Sequence, residues 1–201
     1  MFRLMHYDTP LRTPLFSSCS IYSIHRGDSA KATDQMAQAK ALAKKELIPI
    51  VEQFPQLRYG AFSSSMEEFA EAAIFAEFVA NGRVPTVAEL EIVTKEEYLG
   101  GIMDFTGELN RFAVIRATAR DIEGVRRCRD VVDQLFAQLM LFEWRNGNLR
   151  RKFDAVRGRG RHKRGRQSAS PCGWALTHET ADISTTYVCI ASYSRFLQRT
   201  G

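Results

Sequence analysis

Between residues 30 and 157 the apolar side chains of this chain recur every three or four positions, with no sustained apolar–polar alternation. That period places them on one face of an α-helix, whereas a half-buried strand needs a period of two. Met36, Ala39, Ala43, Leu47, Ile50 and Phe54 form the first stripe, with Lys40, Lys44 and Lys45 off it and Pro49 expected to kink the helix near its end. A second helix is predicted over 62–80, stopped by Asn81-Gly82. Thr86-Val-Ala-Glu89 and Thr94-Lys-Glu-Glu97 both read as capping boxes, in which a hydroxyl and a carboxylate satisfy backbone N–H groups at a helix start.

The first box opens a short helix. The second opens a long one to about residue 118, with Tyr98, Ile102, Phe105, Leu109 and Phe112 on its apolar face. A fourth long helix, about 121–144, carries Val125, Cys128, Val132, Leu135, Leu139 and Phe142, and Asn146-Gly147 ends it. Leu149, Phe153 and Val156 begin one more, which the Gly-Arg repeats from Gly158 are expected to end. The fold class is therefore all-α, a multi-helix bundle over residues 21–157.

The ends read differently. Residues 1–20 contain Pro10 and Pro14, which interrupt any amphipathic helix, and are expected to form a disordered lead-in. Residues 167–201 hold ten Ser/Thr in thirty-five positions with no helical period, so 158–201 reads as a basic and then Ser/Thr-rich tail. That tail is either disordered or foreign to the helical fold, and is expected to be dispensable for activity.

Charge changes the picture only once it is located. The chain carries +5 overall, but residues 150–166 alone hold nine Lys/Arg against one Asp, leaving the remainder at −3. Arg150, Arg151, Lys152 and Arg157 are the candidates for neutralising nucleic-acid phosphates within the helical region. A solvated tail or a localisation patch has the same composition. No apolar run approaches the roughly 20 residues of a membrane span. Cys19, Cys128, Cys172 and Cys189 are scattered, as are the histidines, which argues against zinc and for reduced thiols.

The candidate chemistry lies in two acidic clusters. Glu68 and Glu71 stand three apart, and Asp104 and Glu108 four apart, so each pair shares a helix face. Like charges at those spacings repel, and helical acids are most often solvated surface. Three features weigh against the ordinary reading. Glu68 and Glu71 share their stripe with Phe75 and Phe78. Asp104 sits among Ile102, Met103 and Phe105, where a short side chain that competes for backbone hydrogen bonds is a poor choice. Gly100, Gly101 and Gly107 flank it at about 1 kcal/mol each in helix propensity, as close backbone approach or room for a ligand would require. Together the two pairs offer the oxygen ligands of a hard divalent cation, an arrangement suited to phosphodiester hydrolysis. A Glu108–Arg111 ion pair is the competing structural account.

The stretches EEFAEAAIFAEFV (67–79), EEYLGGIMDFTGELNRF (96–112) and LRRKFDAVR (149–157) resemble the translin family. Glu68/Glu71-Ala72 and Asp104-Phe-Thr-Gly-Glu108-Leu109 are similar to the acidic motifs of its translin-associated factor X branch, the catalytic subunit of the translin complex. The resemblance implies a helical bundle that joins translin subunits in a closed hetero-oligomer and cleaves RNA endonucleolytically, in RNA silencing or tRNA processing. It implies Mg²⁺ or Mn²⁺ held by Glu68, Glu71, Asp104 and Glu108, with no protein base required, in keeping with the absence of a suitably placed histidine. It further implies RNA, and possibly single-stranded DNA, as ligand, no membrane, and a cytoplasmic and nuclear location. Two departures stand out: the family's first helix is poorly represented before Ile21, and its last should continue past Arg157. The alternatives are an idle single-strand-binding or scaffold subunit of a translin-type oligomer, and a helical interaction protein with no nucleic-acid role.

Overall fold

The computed structural model describes residues 9–164, with side chains from 16 to 157. Every regular element among them is helical: α1 (Thr9–His25), α2 (Ser29–Leu42), a π-helical turn (Ala43–Leu47), α3 (Ile48–Gln53), a 3₁₀ turn (Pro55–Arg58), α4 (Ala61–Asn81), α5 (Val87–Leu90), α6 (Lys95–Thr118), α7 (Ile122–Leu139) and α8 (Asn148–Arg164). Two compact units divide the chain at Glu108/Leu109, within α6.

In the first unit, α1 packs on α2 and α4. Its helical state corrects the expectation of a disordered lead-in for residues 9–20; residues 1–8 lie outside the described residues. Pro10 falls in the first turn, where a missing N–H would have had no partner anyway. The buried face of α1 is written in small residues. Ser17, Ser20, Ser23 and Ile24 are 0–6% exposed, and the Ser20 hydroxyl donates to the Ala32 carbonyl at 3.1 Å. The Ser23 hydroxyl donates to Gln35 Oε1 at 2.9 Å. Short side chains whose hydroxyls are satisfied by the facing helix let two helices approach closely without leaving polar atoms stranded.

Ala39, Ala43, Leu47 and Val51 then line the core with Phe62, Met66, Phe69 and Ile92. Their steps are uniformly four residues, a spacing that drifts off one face of an ordinary helix. The π turn widens the helix where the drift would accumulate. This corrects the predicted stripe: Val51 is buried, Ile50 is only half-buried, and Phe54 is exposed. Pro49 is the second residue of α3, in the turn where the π-helical stretch gives way to α-helix.

α4 ends as predicted, with Gly82 in the left-handed conformation (φ 73°) and its N–H donating to the Phe78 carbonyl. Both capping boxes form. Thr86 and Glu89 bond reciprocally at the start of α5. Thr94 N–H donates to Glu97 Oε2 at 2.7 Å, and Glu97 N–H donates back to Thr94 Oγ1 at 3.2 Å. Glu97 is 1% exposed, and Arg58 donates to the same Oε2 at 2.8 Å, so a buried charge is paired as well as hydrogen-bonded. Tyr98, Leu99, Ile102, Met103 and Phe105 of α6 are at most 3% exposed, each worth about 1.5–3 kcal/mol of burial.

Glu91 follows α5 with φ 66°, a left-handed conformation costly for a non-glycine residue. Lys44 and Lys40 both bond its carboxylate, and these ammonium groups, Lys44 first, hold its carboxyl down at about 2. A lowered folded value means that the clasp is fully present above the ordinary range near 4.5 and is lost as pH falls from there through about 2. We expect Glu91→Gln to remove a salt-sensitive part of the pH dependence of the urea midpoint in that window. The effect should be small, because the carboxylate is exposed and screened.

In the second unit, Asp121 caps α7 by accepting from Gly124 N–H at 2.8 Å. Cys128, Val131, Leu135 and Leu139 are its buried face, with Val131 taking the place predicted for Val132. The helix ends at Leu139 and not near 144, and Trp144 folds back so that its indole N–H donates to the Leu139 carbonyl at 3.0 Å, capping that end. Trp144 stacks on Phe142 (5.0 Å between centroids) and on Phe153 of α8 (5.4 Å). Phe153 and Val156 are buried as predicted. α8 runs through Gly158 to Arg164, past the expected stop. The Ser/Thr-rich stretch 167–201 lies outside the described residues.

Candidate functional site

All four candidate acids, Glu68, Glu71, Asp104 and Glu108, lie in the first unit. Each is half-buried, an unusual state for a carboxylate placed only for solubility. The helices that carry them touch at glycine. A Cβ on Gly101 would stand 2.6 Å from Ala70 Cβ, 2.8 Å from Glu71 N and 2.9 Å from the Glu67 carbonyl oxygen, so α4 and α6 cross there nearly backbone to backbone. The three atoms nearest a Cβ on Gly100 would all belong to the Glu67 side chain, at 2.7–2.9 Å. Close backbone approach accounts for Gly101, whereas Gly100 faces a flexible side chain.

Asp104 and Glu108 follow Gly101 by three and seven residues, so they continue on the face that α6 turns to α4. Phe105 meets Phe75 (6.2 Å between centroids) and Phe78 (5.8 Å). Successive contacts thus advance in the same sense along both helices. Phe75 is fully buried and Phe78 nearly so, which confirms that the α4 stripe shared by Glu68 and Glu71 faces the interior. The acids run along the seam that these aromatic rings close.

α1 supplies the other wall, with two side chains seven residues apart on one face. The Ser18 hydroxyl donates to Glu68 Oε2 at 3.3 Å. His25 Nε2 lies 2.5 Å from Glu108 Oε2, and its ring sits 4.9 Å from that of Phe75, tilted at 44°. The expectation that no histidine stands near these acids is therefore corrected. No apolar periodicity signals α1, because its buried face is carried by serines; His25 is its last residue.

The donor set consists of hard oxygen ligands, which in chemistry suits Mg²⁺ or Mn²⁺. Among the described residues, however, no three of His, Cys, Asp and Glu are grouped so as to hold a metal ion. The structure brings the acids to one seam without closing them on a shared point.

The basic candidates belong to the second unit. Arg150 Nε donates to Asp154 at 3.1 Å. Arg151 is exposed, while Lys152 and Arg157 are half-exposed beside the buried Phe153 and Val156. Among the described residues no helix is long and apolar enough to cross a membrane.

Residues 17–159 match the Translin family model. The uncharacterised protein MJ0175 of Methanocaldococcus jannaschii is 30% identical over 142 residues, 69% of this chain. The chain spans 62% of that relative's length. Among solved structures, apo-NeC3PO is similar with a TM-score of 0.69 and 28% identity, over 75% of this chain and 80% of that one. AfC3PO in complex with duplex RNA is similar in fold, with a TM-score of 0.70 and 22% identity, over 92% and 87% of the two chains.

Proposed function

The chain belongs to the translin family, and from that premise we propose that it is a metal-dependent endoribonuclease subunit like translin-associated factor X, acting with a translin-type partner. The observation that carries this reading is the acid seam. Glu68, Glu71, Asp104 and Glu108 are half-buried on two helices that touch at Gly101, and like charges held together at a cost are more readily understood as ligands than as surface. The likeness to AfC3PO, which is bound to duplex RNA, supports RNA as the ligand class.

Glu68, Glu71, Asp104 and Glu108 would hold Mg²⁺ or Mn²⁺. Once bound, such a cation lowers the pKa of attacking water and stabilises charge on the phosphate. The carboxylates set the charge and position of the site, and Ser18 restrains Glu68 through its hydroxyl. Arg150, Arg151, Lys152 and Arg157 neutralise phosphates without reading sequence. The test is RNA cleavage by the full chain with and without its partner, across a Mg²⁺ titration and a salt series. Cleavage that requires the cation, with binding that weakens as salt rises, is the expected result. Cation-independent behaviour in both would end the proposal.

A second reading follows from the carboxylates not being grouped around one point: an idle subunit that binds single-stranded RNA or DNA or serves as scaffold in the oligomer. It forecasts salt-dependent binding with no cleavage at any Mg²⁺ concentration.

A further inference from the structure

We propose that His25 is a positioning residue that holds the Glu108 carboxylate in place along the seam. The inference rests on the metal-dependent reading of the four acids and deepens it by adding a residue from a third helix. His25 ends α1, far in sequence from both acidic motifs, and its side chain is 8% exposed against 19% for Glu108. Its ring orientation is determined from behind. Phe75, fully buried, lies 4.9 Å from the imidazole and is itself packed on Phe105, the neighbour of Asp104. With the ring so placed, Nε2 aims at Glu108 Oε2 at 2.5 Å.

An Nε2–H donor fixes which way the carboxylate turns, and a carboxylate has lone pairs enough to accept this bond and still ligate a cation. Carboxylates that ligate metals are regularly oriented by such partners, and loss of the partner typically weakens metal binding or activity by about 10–100-fold. His25 acts through Glu108, since Nε2, the atom turned toward the seam, is engaged with that carboxylate. Ser18 on Glu68 is its weaker and more exposed counterpart, at 3.3 Å. The N-terminal helix thereby joins the site itself.

The experiment uses the full chain in three forms: wild type, His25→Phe, which keeps a ring on Phe75 and removes the donor, and His25→Gln, which keeps an N–H at similar reach. Mn²⁺ binding is measured by electron paramagnetic resonance of the free ion, and RNA cleavage is resolved into kcat and KM. The imidazole is observed by ¹H–¹⁵N correlation with and without Glu108→Gln. We expect His25→Phe to weaken Mn²⁺ binding by about 10–100-fold and to lower kcat with little change in KM. Its melting temperature should stay close to wild type, and His25→Gln should recover most of the loss. The wild-type imidazole signal should shift on Glu108→Gln. A folded His25→Phe chain with wild-type Mn²⁺ affinity overturns the proposal, as does an imidazole signal indifferent to Glu108. If wild type binds no Mn²⁺ while the imidazole still follows Glu108, the metal reading fails and the pair stands.

Discussion

Asp104→Asn is expected to lower metal-dependent RNA cleavage by two to three orders of magnitude, while RNA affinity stays within about twofold of wild type. Charge stabilisation by a bound cation is worth several kcal/mol in the transition state, and each 1.36 kcal/mol is tenfold in rate. Asn keeps the size of Asp and removes the charged ligand. The site tolerates that exchange sterically, because Asp104 is half-buried while its neighbours Met103 and Phe105, both 0% exposed, carry the packing. Under the proposed reading, RNA affinity would rest on phosphate contacts from basic groups elsewhere on the chain. Folding should be unchanged or slightly improved, since repulsion between Asp104 and Glu108, four residues apart, is relieved by a few tenths of a kcal/mol.

If the acids served only to stabilise the helices, the pattern would differ. Melting temperature would drop and activity would follow the folded fraction. Arg111→Ala would then mimic Asp104→Asn, whereas the ligand account predicts no resemblance between them. Cleavage at the wild-type rate by a well-folded Asp104→Asn complex would leave the nuclease reading without its central residue.

The sequence disclosed those parts of the fold whose physics is local. The two capping boxes, the Asn81-Gly82 stop and the stripes of α4 and α6 depend on residues within a few positions of one another, and all appear as read. What escaped depends on partners distant in sequence. α1 was hidden because its buried face is Ser17, Ser20 and Ser23, and serine registers as apolar periodicity only once α2 is seen to lie against it. The π turn was hidden because the four-residue steps from Ala39 to Val51 look like an ordinary stripe until the drift is followed over several turns. The early end of α7 is capped by an indole five residues on, which donates to the Leu139 carbonyl.

The candidate site divides along the same line. Both acidic pairs were legible, since each pair shares a single helix, and the flanking glycines suggested close approach. Their common seam required knowing that α4 and α6 touch at Gly101. His25 required a helix that the prolines had argued away. A motif names candidate acids within its own stretch of sequence and is silent about the side chain that arrives from elsewhere to meet them.

Gly101→Ala tests that seam from the backbone side, with Gly100→Ala as its internal control. Replacing glycine by alanine inside a helix ordinarily gains about 1 kcal/mol, and both positions lie well inside α6. At Gly100 the three atoms nearest the added methyl all belong to the Glu67 side chain, the first at 2.7 Å. That side chain can swing away, so the gain should survive and Gly100→Ala should be neutral or stabilising. At Gly101 two of the three contacts, Glu71 N at 2.8 Å and the Glu67 carbonyl oxygen at 2.9 Å, are backbone. They can retreat only if α4 moves as a whole. Overpacking of that kind costs about 1–3 kcal/mol, which cancels or exceeds the propensity gain of about 1 kcal/mol, and a net loss of up to about 2 kcal/mol in urea denaturation is expected. Function should suffer more than stability. Separating α4 from α6 moves Glu71 away from Asp104, and a displacement of about 1 Å in a catalytic arrangement can cost about 100-fold in rate. Cleavage assayed well below the melting temperature of both variants should therefore fall by at least about tenfold in Gly101→Ala and remain intact in Gly100→Ala. Equal, full activity in the two would show that the crossing of α4 and α6 sets nothing at the acids.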